Sequence, residues 1–213
     1  MPVNKKILQF FTEQHKPAAI GLIGTNDPVG LSIRNAQRSI TAEGNPSLWS
    51  HCFLFGSLRL DRREKKGEKS RSSYIFESDL QGDLKRPLLI SGAQENWVGK
   101  WCGSNVEHAA CIDFDLSSDQ REEILATALQ LVSDQIQYPV HELLGTWWSI
   151  IIHEQWRPNL LDSPHAMHCS AFVRYCYKTA KRDFLNHAVS ISNTAPEDIA
   201  RAGTQEDVIT FFR

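Results

Sequence analysis

The sequence predicts a single domain of the α+β class. Segments with the composition of β-strands are concentrated between residues 18 and 114, and the clearest helical spacing follows residue 117. With 213 residues, of which 41% are hydrophobic, the chain is long and apolar enough to bury one core. Because no internal repeat, low-complexity tract or linker divides it, we interpret residues 1–213 as one domain.

The N-terminal part is predicted to contain two helices and two strands. Residues 4–14 have an amphipathic helical pattern that ends before Pro17, and residues 18–24 form an apolar strand candidate. A second helix is expected over residues 29–38, with Leu31 and Ile33 partly buried. The strongest strand candidate, residues 48–58, is apolar on both faces, as expected of a strand inside a sheet.

A charged segment, residues 60–72, follows that strand and is interpreted as an insertion. A solvated hairpin or loop is the expected structure, and a patch for an acidic partner is the alternative. Further strand or edge segments are expected at residues 74–78, 87–91, 97–102 and 109–113.

Helices are predicted in the C-terminal half. The clearest covers residues 119–135, where Ser117 and Gln120 have the spacing of a capping box and Leu129 belongs to the predicted buried stripe. A second helical segment covers residues 139–156. The remaining expected elements are a helix after Cys169, a short helix capped by Thr194, and a turn or strand within 205–212.

Cys169 is the first candidate for a catalytic group. It lies where an irregular segment containing Pro158 and Pro164 gives way to a helical pattern. The positive end of a helix dipole lowers the pKa of a thiol in the first turn and favours the reactive thiolate. The alternative is that Cys169 is simply a small buried residue, as free cysteines commonly are.

His51 and Glu77 supply the other groups that a thiolate nucleophile needs, a base and a residue that orients the base. They lie on successive strand candidates, and neighbouring strands are about 5 Å apart, so the two side chains can make contact. A carboxylate in so apolar a segment requires a polar partner. Each residue alone is more often structural, but together with Cys169 they predict a Cys-His-Glu triad.

The order of these residues resembles that of the circularly permuted papain-like amidases of the NlpC-like superfamily, in which the histidine and the acidic residue precede the cysteine. The resemblance spans approximately residues 18–202. The matching segments are residues 24–37, Ser50 and His51 with the apolar strand after them, residues 74–78, residues 138–145, residues 168–173 and residues 194–200.

This resemblance implies a small antiparallel sheet, partly barrel-like, packed against helices. It also implies a cysteine hydrolase that cleaves an amide bond in a peptide, an isopeptide or a cell-wall peptide. Cys169 would attack the carbonyl carbon, His51 would transfer the proton, and Glu77 would fix the imidazole tautomer. Backbone N–H groups at the start of the Cys169 helix would stabilise the oxyanion, and no metal or cofactor is required.

Two other functions fit parts of this pattern. The lecithin retinol acyltransferase-like relatives share the permuted order and act on lipid esters, but they have a second histidine in place of Glu77. Their nucleophile motif also differs from the His-Cys-Ser-Ala-Phe of residues 168–172, which favours hydrolysis over acyl transfer. The remaining alternative is a binding module that keeps the fold without catalysis.

Other cysteine and histidine residues were weighed as metal ligands. Cys102, His108 and Cys111 form one loose group and His165 and His168 with Cys169 another, but neither has the spacing of a known zinc motif. Two further cysteines are assigned no catalytic role: Cys52 points to the strand face opposite His51, and Cys176 belongs to the core.

Composition limits the classes of binding partner and the cell compartment that can be expected. The net charge of -2 gives no indication of nucleic-acid binding, and the sequence does not indicate an oligomeric state. Five cysteines without framework spacing suggest free thiols in a reducing compartment. With no apolar run that predicts a signal peptide or an integral membrane segment, a cytoplasmic location is the default expectation. Delivery by a specialised secretion system would leave no such signal.

Overall fold

The computed structural model describes residues 3–60, 71–81, 90–136, 167–185 and 189–213. The helices in these ranges are α1 (Lys5–Glu13), α2 (Pro28–Ala36), α3 (Ser118–Ser133), α4 (Cys169–Thr179) and α5 (Pro196–Gln205). The strands are β1 (Ile20–Thr25), β2 (His51–Leu60), β3 (Arg71–Gln81), β4 (Ile90–Trp97), β5 (Val106–Ile112) and β6 (Ile209–Phe211). Short 3₁₀ helices cover Arg38–Ile40, Val98–Trp101 and Ile191–Asn193. These elements confirm the α+β class.

The six strands form one open sheet in the order β4-β3-β2-β1-β5-β6. Each neighbouring pair is antiparallel, as expected for the sheet. All six residues of β1 are buried, because β1 lies inside the sheet and both of its faces are covered. The strands that carry His51 and Glu77 are direct neighbours, paired through Leu54 and Phe76.

The sheet separates two apolar clusters. On one face, the even-numbered residues Cys52 and Leu54 of β2 belong to a cluster with residues of α3, α4 and α5. On the other face, Phe53 and Phe55 pack with α1, and the Phe11 ring meets that of Phe53 edge-on at a centroid distance of 5.5 Å. Alternation along β2 therefore sends successive side chains into different clusters.

Some predicted elements are confirmed and others are corrected. The capping box of α3 is present, with the Gln120 amide donating to the Ser117 hydroxyl oxygen at 3.2 Å and the Ser117 amide to the Gln120 side chain at 3.1 Å. Leu129, predicted to be buried, is 55% exposed because it lies away from the stripe of α3 that faces the core. Leu31 is likewise 42% exposed on α2.

The strand predicted over residues 97–102 was wrong for most of its length. Trp97 ends β4, and Val98–Trp101 form a 3₁₀ helix that turns the chain back toward β3. The predicted cap of the last helix was also wrong, since the N-cap is Ala195, whose amide donates to the Asp198 carboxylate at 2.9 Å. The predicted helical segment 139–156, and nearly all of the predicted insertion 60–72, lie outside the described residues.

Candidate active site

Glu77 is a fully buried carboxylate at the centre of a polar network. Its Oε2 accepts hydrogen bonds from His51 Nε2 at 2.8 Å and from Trp101 Nε1 at 2.6 Å. Its Oε1 accepts hydrogen bonds from Asn96 Nδ2 at 2.7 Å and from Lys100 Nζ at 2.8 Å. The contact expected between His51 and Glu77 is therefore present, and three further donors satisfy the buried charge.

Four consecutive elements of the fold bring these groups together. His51 is the first residue of β2, and Glu77 lies on the adjacent strand β3. Asn96 lies on β4, where it pairs with Ile75, two residues before Glu77. Lys100 and Trp101 come from the 3₁₀ helix that follows β4. The turn after β4 is thus what allows a charged and an aromatic side chain to reach the buried carboxylate.

The network keeps Glu77 ionised. Burial by itself raises the pKa of Glu77, but hydrogen bonding and charge from His51, together with the Lys100 cation, outweigh it and lower the pKa to about 2. Lys100 also lies 2.7 Å from the Asp79 carboxylate. Although burial lowers the pKa of Lys100, the two carboxylates raise it, so Lys100 remains a cation between them.

His51 is held between Glu77 and Cys169. Its Nε2 is bonded to Glu77, which leaves Nδ1 as the ring nitrogen for the thiol, and the Trp101 ring lies 4.5 Å from the imidazole centroid. Burial lowers the pKa of His51, but the charge and hydrogen bond of Cys169, with a further contribution from Glu77, raise it to about 10. The imidazole is therefore protonated at neutral pH when the thiol is ionised.

Cys169 is the first residue of α4 and is buried. A hydrogen bond from Cys52 lowers its pKa, burial opposes this, and the His51 charge with hydrogen bonds from His168 and His51 lowers it further. The net effect places the pKa of Cys169 well below that of an ordinary thiol. Cys169 and His51 thus form a thiolate–imidazolium pair, the reactive state of a cysteine nucleophile.

Hydrogen bonds hold His168 and Met167, the two residues before Cys169, in place. His168 Nε2 lies 2.8 Å from the carbonyl oxygen of Ser192, and the His168 carbonyl accepts the first helical hydrogen bond of α4, from the Phe172 amide at 2.9 Å. The hydroxyl of Ser78, next to Glu77 on β3, donates to the Met167 carbonyl. These bonds fix the start of α4 against the strand that carries Glu77.

The Cys52 side chain belongs to the cluster on which α4 packs, so it lies on the same side of the sheet as Cys169. Burial and the neighbouring Cys169 raise the pKa of Cys52 well above that of an ordinary thiol, so Cys52 stays protonated at a pH where Cys169 is ionised. Because its pKa is raised, Cys52 is not expected to supply a nucleophilic thiolate.

Sequence reasoning missed four residues of this site: Asn96, Lys100, Trp101 and Cys52. The first three lie in a segment that was assigned to strand or left unplaced, so their convergence depended on an unrecognised turn. One signal was available in the sequence, since Asn96, Lys100 and Trp101 bring polar groups to a segment that also contains the apolar residues Val98 and Cys102.

The suggested ligands Cys102, His108 and Cys111 do not form a metal site in the structure. Cys102 lies in the cluster beneath α1, where burial raises its pKa to about 12, and His108 is partly exposed on β5. No group of three or more histidine, cysteine or acidic residues with metal-binding geometry occurs in the part of the chain that the structure describes. His165 lies outside that part.

No known family model matches the chain, and no curated protein matches it significantly. Of the helices in the described ranges, none is both long enough and apolar enough to cross a membrane.

Proposed function

We propose that this protein is a cysteine hydrolase of the permuted papain-like, NlpC-like type, and that it cleaves an amide bond of a peptide, isopeptide or cell-wall peptide. The observation that carries the proposal is the series Glu77, His51 and Cys169: the Glu77 carboxylate lies 2.8 Å from His51 Nε2, and the interaction of His51 with Cys169 raises the pKa of the imidazole and lowers the pKa of the thiol. The fold supports the same assignment, because an antiparallel sheet supplies Glu77 and His51 and helix α4 begins at Cys169.

The chemistry follows from these protonation states. The Cys169 thiolate attacks the substrate carbonyl carbon, and His51 Nδ1 donates its proton to the leaving amine as the thioester forms. A water molecule then gives a proton to His51 and attacks the thioester, which releases the acid and regenerates Cys169. Glu77 acts as a positioning residue, because its bond to Nε2 aims Nδ1 at the sulfur.

The start of α4 supports the charged intermediate. Backbone N–H groups in the first turn of a helix point toward its N-terminus, where Cys169 lies, and the helix dipole favours negative charge there. The carboxylate at position 77, in place of a second histidine, favours hydrolysis over transfer of a lipid acyl group.

The proposal is tested by measuring iodoacetamide labelling of each cysteine by mass spectrometry as a function of pH. Cys169 is expected to react at pH 6, well below the usual thiol pKa of about 8.5, because His51 stabilises its thiolate. His51→Ala is expected to remove this reactivity and shift labelling toward alkaline pH. Cys111 serves as an internal reference, since burial alone raises its pKa.

Activity is then measured on fluorogenic peptide amides, peptidoglycan peptides and fatty-acyl esters. The wild-type protein is expected to hydrolyse an amide, Cys169→Ala to abolish that hydrolysis, and Cys111→Ala to retain it. Slow labelling of Cys169 that is indifferent to His51 would contradict the proposal and favour a binding module. Turnover of esters alone would favour the lipid-acting alternative.

A further inference from the structure

His51 is the first residue of β2, at the point where the pairing of that strand with its neighbours ends. Its backbone partner on β1 is Ile23, whereas the pairing of β2 with β3 begins at Leu54, opposite Phe76. The proposed proton transfer requires one direction of the imidazole. Contacts outside the sheet therefore contribute to fixing the segment that precedes His51.

The side chain of Gln37 reaches that segment from the end of α2. Gln37 is the C-cap residue of α2 and is 1% exposed. Its Nε2 donates hydrogen bonds to the carbonyl oxygen of Ile33 at 3.0 Å and to that of Trp49, two residues before His51, at 2.8 Å. Its Oε1 accepts a hydrogen bond from the Glu197 amide at 2.9 Å. The amide group of Gln37 is thus bonded to three different parts of the chain.

Ser47 provides a second link between the same parts of the chain. Its hydroxyl donates to the Glu197 carboxylate at 2.7 Å, and its oxygen accepts a hydrogen bond from the Trp49 amide at 3.0 Å. Its backbone amide donates to the carbonyl oxygen of Arg34 in α2 at 3.0 Å. The segment before His51 is therefore bonded both to α2 and to the first turn of α5.

The chain that enters α5, residues 189–195, is bonded in turn to the start and the middle of α4. His168 Nε2 lies 2.8 Å from the carbonyl oxygen of Ser192. Arg174, which lies on α4 and is 2% exposed, donates to the Thr194 hydroxyl oxygen at 3.1 Å. The first turn of α5 and the chain leading into it thus connect the helix of the proposed nucleophile with the segment before the proposed base.

We propose that Gln37, together with the Ser47 link, is a positioning residue of the candidate site, which holds the His51 end of β2 in place relative to the helix that begins at Cys169. Gln37 acts through the Trp49 carbonyl rather than on the substrate. The inference rests on the proposed function for its effect on turnover. Its effect on the thiol is measured without a substrate.

A shift of His51 away from Cys169 has a defined chemical consequence. The charge of His51 contributes to lowering the pKa of the Cys169 thiol, and the attraction between two charges weakens as their separation grows. The thiolate fraction in weakly acidic solution therefore falls when the imidazole moves away. Proton transfer suffers as well, because a misplacement of about 1 Å can slow a reaction about 100-fold.

The test compares the pH dependence of iodoacetamide labelling of Cys169 in the wild type and in Gln37→Met, whose side chain has a similar length but no hydrogen-bonding groups. Both the Trp49 carbonyl and the Glu197 amide lose a buried partner in this variant. The midpoint of labelling is expected to move by about one pH unit toward alkaline pH, which makes labelling at pH 6 about tenfold slower. A midpoint that coincides with that of the wild type would overturn the inference.

Arg201→Ala is the control, because Arg201 also joins α5 to the chain after α2. Its Nη1 donates to the carbonyl oxygen of Ile40 at 3.0 Å, and Ile40 lies in the 3₁₀ helix Arg38–Ile40 rather than in the segment before His51. The labelling midpoint of Arg201→Ala is expected to stay within about 0.3 pH unit of that of the wild type. An equal shift in Arg201→Ala and Gln37→Met would contradict a specific role of Gln37.

Labelling of Cys111 and Cys176 reports on the fold of each variant, because both thiols are buried and unfolding would expose them. If Gln37→Met unfolds by this criterion, Ser47→Ala decides, since it removes the second link alone. Its midpoint is expected to move by about half a pH unit in the same direction. An unchanged midpoint in folded Ser47→Ala would then count against the positioning role.

Activity separates this inference from the proposed function. With an amide that the wild type hydrolyses, Gln37→Met is expected to lower kcat about tenfold and to leave KM within about twofold, because Gln37 acts through the base. A higher KM with an unchanged kcat would contradict the inference.

The two proposals fail in different ways. If wild-type Cys169 labels slowly and indifferently to His51→Ala, the proposed function fails, and the positioning role fails with it. If Cys169 is reactive and folded Gln37→Met matches the wild type, the proposed function stands and the positioning role fails. If the midpoint shifts as expected but no amide is hydrolysed, the positioning role stands and amide hydrolysis fails.

Discussion

At the scale of single residues, Glu77 explains why this site is charged and yet buried. An ionised carboxylate inside a protein is tolerated when hydrogen bonds and opposite charges replace the water it loses. Glu77 has four such partners, two of them cations when His51 is protonated. The groups that orient the imidazole are therefore the same groups that contribute to the stability of the fold.

The stability of the protein is expected to decrease in acid through Glu77. Its pKa is lowered from 4.5 to about 2 in the folded state, so its contribution is present above pH 4.5 and is lost as the pH falls toward 2. The contribution is about 3 kcal/mol at neutral pH. Urea unfolding at several pH values is expected to show this loss in the wild type and a much smaller one in Glu77→Gln.

Glu95→Gln is the control for that measurement. Glu95 also lies in the sheet, on β4, but it is partly exposed and forms an ion pair with Arg59 at the surface. Its removal is expected to change the unfolding free energy by less than about 1 kcal/mol and to leave the pH dependence intact. Equal slopes for wild type and Glu77→Gln below pH 4.5 would show that Glu77 is not the group responsible.

The sequence allowed part of this network to be predicted. His51 and Glu77 were paired correctly because both lie in apolar strands, where a polar side chain needs a partner, and because successive strands commonly pair. Lys100 and Trp101 were not found because a 3₁₀ turn was interpreted as a strand, and strand alternation gives no reason for them to approach Glu77. The proximity of Cys52 to α4 was not predicted, because which helix covers that part of β2 was not readable from the sequence.

At the scale of elements, the 3₁₀ helix Val98–Trp101 carries out two tasks. Val98 and Gly99 are buried against the cluster beneath α1, which fixes the turn, and the next two residues then face the carboxylate. The Trp101 indole both donates to Glu77 and covers the imidazole. A single short turn therefore couples core packing to the orientation of the proposed base.

Trp101→Phe is expected to lower kcat/KM for the amide substrate about tenfold. The phenyl ring keeps apolar cover over His51 but loses the indole donor, and hydrogen bonds to charged groups contribute roughly 1.5–3 kcal/mol. The loss is expected in kcat rather than KM, because Trp101 acts through Glu77 and not on the substrate. Steady-state kinetics with an amide that the wild-type protein hydrolyses in the activity screen measures it.

Trp97→Phe is the matched control, because Trp97 precedes the same turn and packs against the cluster beneath α1. It removes the same indole group without changing any donor that reaches Glu77, so kcat/KM is expected to stay within about twofold of wild type. If both variants lose activity equally, the role of Trp101 is packing and not orientation of the carboxylate.

At the scale of the whole molecule, the sheet contributes residues to both apolar clusters and to the candidate site. The cluster beneath α1 supports the 3₁₀ helix, and the cluster beneath α3, α4 and α5 supports Cys169. His51 and Cys52 are consecutive residues of β2, of which the first bonds to Glu77 and the second lies in the cluster beneath α4. The site therefore depends on the register of the sheet as a whole.

Gly21→Ala tests whether the two cores unfold together. Gly21 lies in β1 between β2 and β5, and a Cβ there would overlap the ring of Phe53 in the cluster beneath α1. Because that ring is fully buried, the variant is expected to lose about 3 kcal/mol of unfolding free energy. Since both clusters share β1, a single transition is expected by fluorescence and by far-ultraviolet circular dichroism.

Gly44→Ala is the comparison variant. Gly44 has a positive φ of +69° and open space around it, so the added methyl group costs only backbone strain of about 1 kcal/mol. If Gly21→Ala instead unfolds in two steps, with rapid alkylation of Cys169 at pH 6 preserved through the first, then the cluster around α4 is stable without the cluster beneath α1. Coincident loss of Cys169 reactivity and of both spectroscopic signals would establish that a substitution on one face of the sheet reaches the nucleophile on the other.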